Sequence, residues 1–324
     1  MALTDIPVEK LRDYQSEVTD PADFDDFWAQ TLQSVRNTPL EFTMTPVEGF
    51  WRTYSVWDVT FNGANGAPIK AWLTAPNNPH DALPAVVEYN GYGGGRGLAG
   101  EHAHWADAGF AHLFMDTRGQ GGAWGSGGDT VDPDGTGSTV PGSMTRGILN
   151  RDDYYYRRVF TDAVRAVDAV REVPFVDTTR VAVRGASQGG GIALAVAGLI
   201  PDLAAVLTDV PFLCDFPRGT AISPTDPYGE IVRFLRVYPE HCDQVFDTLR
   251  YFDGVNFARR ATAPALFSVG LMDPVCPPST VYGAFNRYAG ARELVEYPFG
   301  EHSGGGFRQQ VRQTEWLQQL LQSA

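Results

Sequence analysis

The pattern of apolar and polar residues divides the chain into a short first part and a longer second part. In the first part, residues 54–61 and 69–74 alternate with a period of two, which is typical of antiparallel strands. Residues 22–35 follow Asp20 and a proline, and they predict a helix with an acidic N-cap and a proline at its first position. We therefore expect an N-terminal extension, residues 1–80, ahead of the main sheet.

The second part alternates short apolar stretches with longer segments of helical period. The predicted strands are residues 85–89, 111–115, 180–184, 204–207, 265–269 and 294–297, and the clearest helices are residues 155–173 and 307–321. This alternation indicates an α/β fold, in which a mostly parallel central sheet is flanked by helices on both faces.

One connection between predicted strands is too long to be a simple crossover. Residues 211–260 contain helical stretches such as 228–237, and we predict an insertion over the carboxyl edge of the sheet, where such folds bind ligands. Residues 119–147 are rich in glycine, and we expect them to form a loop near that edge. Since the sequence has no internal repeats, we interpret residues 1–324 as one elaborated domain.

The composition narrows the classes of function. With 324 residues, of which 43% are hydrophobic, the chain can bury a large core without disulfides. Its formal net charge of −14 argues against nucleic acid and anionic membranes as partners, because both select for clusters of lysine and arginine. There is no basic and apolar leader, no run of membrane-spanning length, and no metal or redox spacing among the cysteines. We expect a cytoplasmic enzyme.

The most informative motif is Gly-Ala-Ser-Gln-Gly at residues 185–189. It follows the predicted strand 180–184 and precedes the apolar helical run 192–197. A sharp turn between strand and helix exposes the Ser187 hydroxyl, and glycines keep Cβ atoms out of the crowded turn. In a chain with 35 glycines the same string could form an ordinary loop, but its flanking elements favour the nucleophile elbow of an α/β-hydrolase fold.

A nucleophilic serine needs a base and an acid that orients the base. Asp273 and His302 each follow a predicted strand, and they come after Ser187 in the order that this fold uses. Asp209, which also follows a strand, is the rival acid. The alternative interpretations are an Asx turn before proline for Asp273 and a surface or capping residue for His302.

The remaining histidines are weaker candidates for the base. They are His80 in an early turn, His102 and His104 before or within a helix, His112 in a predicted strand, and His241 in the insertion. His302 alone combines a loop after a strand with a position after the acid.

The oxyanion that forms when serine attacks a carbonyl must meet preorganised N–H donors. We predict the backbone N–H groups of Gln188, directly after the nucleophile, and of Tyr92, in the glycine-rich loop 90–97. A dinucleotide loop is the alternative for residues 90–97, but its third glycine comes one residue early and the helix begins well beyond it. We expect no metal and no organic cofactor.

Several motifs occur together in a fixed order. They are Asp-Phe-x-x-Phe-Trp at residues 23–28, Tyr-Gly-Gly-Gly-Arg-Gly at 92–97, Arg-Gly-Gln-Gly at 118–121, the elbow at 185–189, Pro-Phe-Leu-Cys at 211–214, and the Asp273 and His302 loops. Over nearly the whole chain this pattern resembles the acetyl xylan esterase / cephalosporin C deacetylase family, carbohydrate esterase family 7.

The resemblance implies a serine deacetylase that acts on acetylated xylo-oligosaccharides and on the 3′-acetyl group of cephalosporins. It also implies a ring-shaped homohexamer, with Ser187, Asp273 and His302 as catalytic residues. Many members of that family carry a glutamate directly after the catalytic histidine, whereas here Glu301 precedes His302, so the role of Glu301 is open. Asn90 stands where many relatives have histidine.

Other residues near the predicted site have weaker assignments. Arg118 and Gln120 are expected to have structural roles, because deacetylation of a neutral ester needs no cationic clamp. Phe212 and the surroundings of Trp124 are candidates for an acyl-binding wall, with ordinary packing as the alternative. A prolyl-oligopeptidase-like peptidase or amidase is the alternative function, although the roughly 80 residues before the core are too few for the propeller of those enzymes. A catalytically silent scaffold is a third possibility.

Overall fold

Nine strands form one sheet at the centre of the computed structural model, which describes residues 5–79, 81–134 and 141–323. In chain order they are β1 Phe42–Val47, β2 Tyr54–Asn62, β3 Pro68–Pro76, β4 Leu83–Tyr89, β5 Ala111–Met115, β6 Val176–Ala186, β7 Ala205–Asp209, β8 Ala265–Gly270 and β9 Arg292–Tyr297. Their order across the sheet is β1-β2-β3-β5-β4-β6-β7-β8-β9.

The sheet has an antiparallel part and a larger parallel part. β1, β2 and β3 pair antiparallel, and β3 also runs antiparallel to β5. From β5 through β4, β6, β7 and β8 to β9, all neighbours are parallel. The predicted α/β-hydrolase fold is confirmed. Because parallel strands end at the same edge, the loops after β4, β6, β8 and β9 meet there.

Helices cover both faces of the sheet. They are α1 Val8–Leu11, α2 Phe24–Arg36, α3 His104–Asp107, α4 Tyr155–Arg171, α5 Gln188–Leu199, α6 Phe216–Ile222, α7 Tyr228–Val237, α8 Cys242–Leu249, α9 Gly254–Ala258, α10 Pro278–Arg287 and α11 Gly306–Ser323, with 3-10 helices at Ala64–Gly66 and Pro239–His241. Val87 of β4 packs in the large core that includes α4 and α5, whereas Val86 packs with Trp105 of α3 and Leu317 of α11. Alternate residues of a strand thus serve opposite faces.

The N-terminal part differs from the sequence prediction in two places. Strand β1 was not predicted; it contains Pro46 and lies at the edge of the sheet, where a missing N–H can be tolerated. Helix α2 begins at Phe24, and no side-chain cap is formed at its start. The carboxylate of the predicted cap, Asp20, instead forms ion pairs with the guanidinium groups of Arg259 and Arg260, at 2.5 and 2.7 Å.

The predicted insertion between β7 and β8 contains helices α6, α7, α8 and α9. Of the predicted glycine-rich loop, residues 135–140 lie outside the described residues, as does His80. That residues 1–324 form one domain, with an N-terminal extension at residues 1–80 and an insertion at residues 211–260, stays a prediction. Within the described ranges, none of the helices is both long and apolar enough to span a bilayer.

Candidate active site

Ser187 occupies the turn between β6 and α5, which begins at the next residue. Its backbone has φ +56° and ψ −121°, a conformation that few L-residues adopt. A Cβ on Gly185 would lie 2.1 Å from a backbone atom of Gly189, and a Cβ on Gly189 would lie 2.0 Å from the Tyr89 carbonyl oxygen. Both flanking glycines are therefore required by the close approach of backbone segments.

Three side chains form a continuous hydrogen-bonded chain at the carboxyl edge of the sheet. The Oγ atom of Ser187 lies 2.9 Å from Nε2 of His302. The other ring nitrogen of His302, Nδ1, donates to Oδ2 of Asp273 at 2.8 Å. Asp273 is completely buried, whereas 31% of the His302 side chain is exposed. This arrangement can move a proton from the serine hydroxyl to the imidazole.

The Asp273 carboxylate is held in place by its own loop. Its Oδ1 atom accepts backbone hydrogen bonds from Val275 and Cys276, at 2.8 and 3.0 Å, which leaves Oδ2 for His302. The rival acid, Asp209, has different partners: it accepts from Ser268 and Gln313. The Asx-type turn and the contact with histidine therefore both occur at residue 273.

The two loops that carry the predicted oxyanion donors are joined by Gln120. Its Oε1 atom accepts the backbone N–H of Gly93, next to Tyr92, at 2.7 Å. Its Nε2 atom donates to the side-chain oxygen of Gln188 at 2.9 Å. The Tyr156 hydroxyl also donates to that oxygen, at 2.8 Å. Gln120 thus links the loop after β4 to the start of α5.

Tyr92 is fixed through both its main chain and its side chain. The indole N–H of Trp124 donates to the Tyr92 carbonyl oxygen at 2.6 Å. The Tyr92 hydroxyl donates to Glu230 of α7 at 2.7 Å and accepts the backbone N–H of Ser143 at 2.5 Å. Burial raises the pKa of the Tyr92 hydroxyl, and the neighbouring Glu230 raises it further, so this group stays protonated.

One group of side chains in the described residues resembles a metal-ligand set. Potential ligand atoms of Asp273, Cys276 and His302 all lie within 4.8 Å of one another. However, Asp273 and His302 are already hydrogen-bonded to each other, and burial raises the pKa of the Cys276 thiol well above its usual value. Metal ligation requires a thiolate, so the arrangement suits proton transfer better than metal binding.

Residues 1–320 match the model of the acetyl xylan esterase family. The chain belongs to the acetyl xylan esterase family. The resemblance and the enzyme class predicted from the sequence, a carboxylic ester hydrolase, are both confirmed.

Two solved structures of acetyl xylan esterases are similar to this chain over most of its length. The acetyl xylan esterase from Paenibacillus sp. R4 is 40% identical, with a TM-score of 0.91 over 97% of this chain and 99% of that chain. Acetyl xylan esterase 1 from Thermoanaerobacterium sp. JW/SL YS485 is 33% identical, with a TM-score of 0.89 over 98% of this chain and 99% of that chain.

A further relative is longer than this chain. Acetyl esterase Axe7A of Xylanibacter ruminicola is 29% identical over 299 residues, which are 87% of this chain and 63% of the relative. The chain therefore spans less than two thirds of that curated protein.

A cavity of about 640 Å³ opens beside Ser187 in this acetyl xylan esterase family member. The residues that line it include His302, Val275, Tyr92, Trp124 and, from the segment between β7 and β8, Pro227. The segment between β7 and β8 thus contributes to the lining of this cavity. Sequence reasoning did not find Glu230, because a single glutamate in an amphipathic helix carries no signal that it is buried against Tyr92.

Arg118 is buried and points away from the serine. It forms a two-pronged ion pair with Asp162, with N···O distances of 2.6 and 2.7 Å, and also donates to the Ala64 carbonyl oxygen. Although burial opposes it, the charges of Asp162 and Asp132 raise the pKa of Arg118, so the guanidinium stays charged. Its backbone oxygen accepts from Tyr155, which in turn contacts Gln120.

Phe212 is not among the residues that line the cavity. Its ring is completely buried, 4.7 Å from the ring of Tyr228 and 6.3 Å from that of Tyr92. Its backbone N–H donates to the Ser187 carbonyl oxygen, and its side chain belongs to the large core. Phe212 therefore packs against Tyr92, which lines the cavity, and is not itself a lining residue. Trp124 does line the cavity.

The other histidines of the described residues have hydrogen-bond or stacking partners other than Ser187. His112 bonds to Glu88, His104 to Thr314, and His241 to Gln244, while the His102 ring stacks on Phe114. The side chain of Glu301 is exposed at the surface next to His302.

Proposed function

We propose that this chain is a serine esterase that removes acetyl groups from acetylated xylo-oligosaccharides and related small acetyl esters, including cephalosporin C. The observation that carries the proposal is the chain of hydrogen bonds from Ser187 through His302 to Asp273, at 2.9 and 2.8 Å, in a member of this family. The names of its relatives, acetyl xylan esterase and acetyl esterase, support acetyl as the acyl group.

The mechanism proceeds through an acetyl-serine intermediate. Ser187 Oγ attacks the acetyl carbonyl carbon while His302 Nε2 takes its proton, and buried Asp273 stabilises the imidazolium. The backbone N–H groups of Tyr92 and Gln188 bind the oxyanion. His302 then protonates the leaving alcohol, and a water molecule repeats the sequence on the acetyl-enzyme to release acetate.

We further propose a cytoplasmic homohexamer. The shared motifs support the hexamer, as they do for the family that the sequence resembles. Cys214, Cys242 and Cys276 are all free thiols, which is typical of a reducing compartment. Light scattering of the purified protein tests the assembly: a mass of six chains is expected, and a monomer would contradict it.

The proposed function is tested with Ser187→Ala and a panel of esters. Acetylated xylo-oligosaccharides, cephalosporin C, p-nitrophenyl acetate, a longer acyl ester and a peptide anilide are compared in steady-state assays. Wild-type protein is expected to prefer acetyl esters, and Ser187→Ala to lose activity by on the order of 10⁶-fold. Ser34→Ala, an exposed serine of α2, is the control. Preference for the anilide would favour a peptidase, and an active Ser187→Ala would refute the assignment.

A further inference from the structure

Two charged side chains line the cavity that also contains Ser187 and His302. They are Glu88 of β4 and Arg184 of β6, which lie opposite each other in the register of these neighbouring parallel strands. Arg184 Nη1 donates to Glu88 Oε1, and only 12% and 13% of the Glu88 and Arg184 side chains are exposed. An ion pair therefore forms part of the wall of the candidate active site.

The ion pair is held rigidly by its neighbours. His112 Nε2 lies 3.0 Å from the second oxygen of Glu88, and Arg184 Nε donates to Gln313 of α11 at 3.2 Å. Burial alone would raise the pKa of Glu88, but Arg184 and His112 lower it to about 2. Glu88 is therefore ionised at neutral pH, and the pair presents one negative and one positive group in fixed positions.

The pair retains hydrogen-bonding capacity toward the cavity. A carboxylate offers about four lone-pair sites, and these two contacts use one on each oxygen of Glu88. Arg184 Nη2 lies 3.6 Å from Asp209, which is longer than a hydrogen bond. A sugar hydroxyl can donate to the carboxylate and accept from the guanidinium. Because the positive charge of Arg184 is already matched by the nearby carboxyl groups of Glu88 and Asp209, a neutral polyhydroxyl ligand fits better than an anion.

The pair is linked through helix α11 to the part of the site from which the alcohol leaves. His302 must protonate the leaving oxygen, so the sugar that carries this oxygen lies on the His302 side of the cavity. Helix α11 starts shortly after His302, contributes Gln310 to the cavity wall and holds Arg184 through Gln313. Helix α11 therefore connects the loop of the catalytic histidine to the charged pair.

A structural role alone explains the pair less well. A buried ion pair is seldom more stabilising than apolar side chains of similar volume, because removing both charges from water is costly. We propose that Glu88 and Arg184 form a glycosyl subsite, which binds hydroxyl groups of the sugar whose acetyl group is removed. This proposal rests on the deacetylase function proposed above, and it adds the residues that select a carbohydrate over a simple ester.

The subsite is tested by comparing a sugar ester with an ester that has no sugar. For Arg184→Met and for Glu88→Gln, kcat/KM is measured with acetylated xylotriose and with p-nitrophenyl acetate. The ratio of the two values is expected to fall about tenfold, the usual effect of losing one hydrogen bond to a charged group. Arg36→Met, which removes a surface ion pair with Asp168, is the matched control and should keep the ratio.

A second variant keeps the test decisive if those substitutions impair folding. Gln310→Trp narrows the cavity that Glu88 and Arg184 also line, and it leaves their ion pair intact. It should also lower the ratio of kcat/KM for acetylated xylotriose to kcat/KM for p-nitrophenyl acetate. Inhibition of p-nitrophenyl acetate hydrolysis by unacetylated xylotriose is measured in parallel, and its inhibition constant should rise about tenfold in Arg184→Met. Unchanged ratios and inhibition constants in folded variants would overturn the subsite. By contrast, failure of the proposed function would appear as wild-type protein that hydrolyses neither ester.

Discussion

Gln120 and Gln188 exchange two hydrogen bonds across the candidate active site. Gln120 Nε2 donates to Gln188 Oε1 at 2.9 Å, and Gln188 Nε2 donates back to Gln120 Oε1 at 3.2 Å. Gln120 Oε1 also accepts the N–H of Gly93, beside Tyr92. The side-chain amide of Gln120 therefore sets the separation between the two predicted oxyanion donors, the backbone N–H groups of Tyr92 and Gln188.

Replacing Gln120 should impair the chemical step more than substrate binding. In Gln120→Leu, the loop of Tyr92 loses its link to α5, and a small displacement of an oxyanion donor lowers kcat by up to about 10²-fold. KM should change little, because the ground-state ester depends less on these donors. Steady-state kinetics with p-nitrophenyl acetate test this, with the exposed Gln33→Leu as control. An unchanged kcat would mean that Gln120 does not position the donors.

Asp273 should be more important to catalysis than Asp209. Asp273→Asn removes the acceptor that fixes His302 Nδ1–H, and kcat is expected to fall about 10⁴-fold. Asp209→Asn changes contacts with Ser268 and Gln313 and should have a much smaller effect. If Asp209→Asn proves the more damaging substitution in the same assay, the choice of acid is wrong.

Arg118 should affect stability rather than chemistry. Arg118→Met leaves the buried carboxylate of Asp162 without its partner, and the free energy of unfolding should fall by about 3–5 kcal/mol. The double variant Arg118→Met/Asp162→Leu removes the stranded charge and should recover part of that loss. Denaturant unfolding measures both, with the surface variant Arg36→Met expected to cost at most about 1 kcal/mol. A folded Arg118→Met protein that lacks activity would point to a catalytic role instead.

The buried carboxyl of Asp253, which lies between α6 and α9, makes the free energy of unfolding depend on pH. Burial raises the pKa of its carboxyl to about 7, and the charge of Asp215 adds to this. A carboxyl whose pKa is higher in the folded state favours folding below its unfolded pKa, near 4, and that contribution is lost as pH rises toward 7.

The pH effect is measured by urea unfolding between pH 4 and 7. Wild-type stability should contain a component that decreases with pH, by up to about 1.4 kcal/mol per unit for one proton. Asp253→Asn should have a flatter profile, although it is less stable overall because Asp253 accepts backbone N–H groups of Asp215, Phe216 and Val255. Parallel profiles for the two proteins would exclude Asp253 as the titrating group.

Local patterns in the sequence predict the features that depend on neighbouring residues. β5 has the predicted bounds because it is apolar apart from His112, whereas β6 starts at Val176, earlier than predicted, since residues 177–179 are polar. Ser187, Asp273 and His302 were predicted as catalytic residues because each follows a strand and belongs to a known chain order, and the structure brings the three side chains into hydrogen-bond contact.

Contacts between distant segments could not be predicted in the same way. Glu88 meets Arg184 only through the register of β4 against β6, and Tyr92 meets Glu230 only because α7 folds back over the sheet edge. Phe212 was expected near the substrate, but its ring packs in the core against Tyr228, a residue of the distant helix α7. These features require the packed structure.

The central claim is that His302 and Asp273 make Ser187 the nucleophile. It is tested most directly by treating wild-type protein with a p-nitrophenyl phosphonate and locating the adduct by peptide mass spectrometry. We expect one label per chain, on Ser187, which appears at the rate at which esterase activity is lost and is strongly slowed in His302→Gln. Complete inactivation with the label on another residue, or with Ser187 unmodified, would contradict the account.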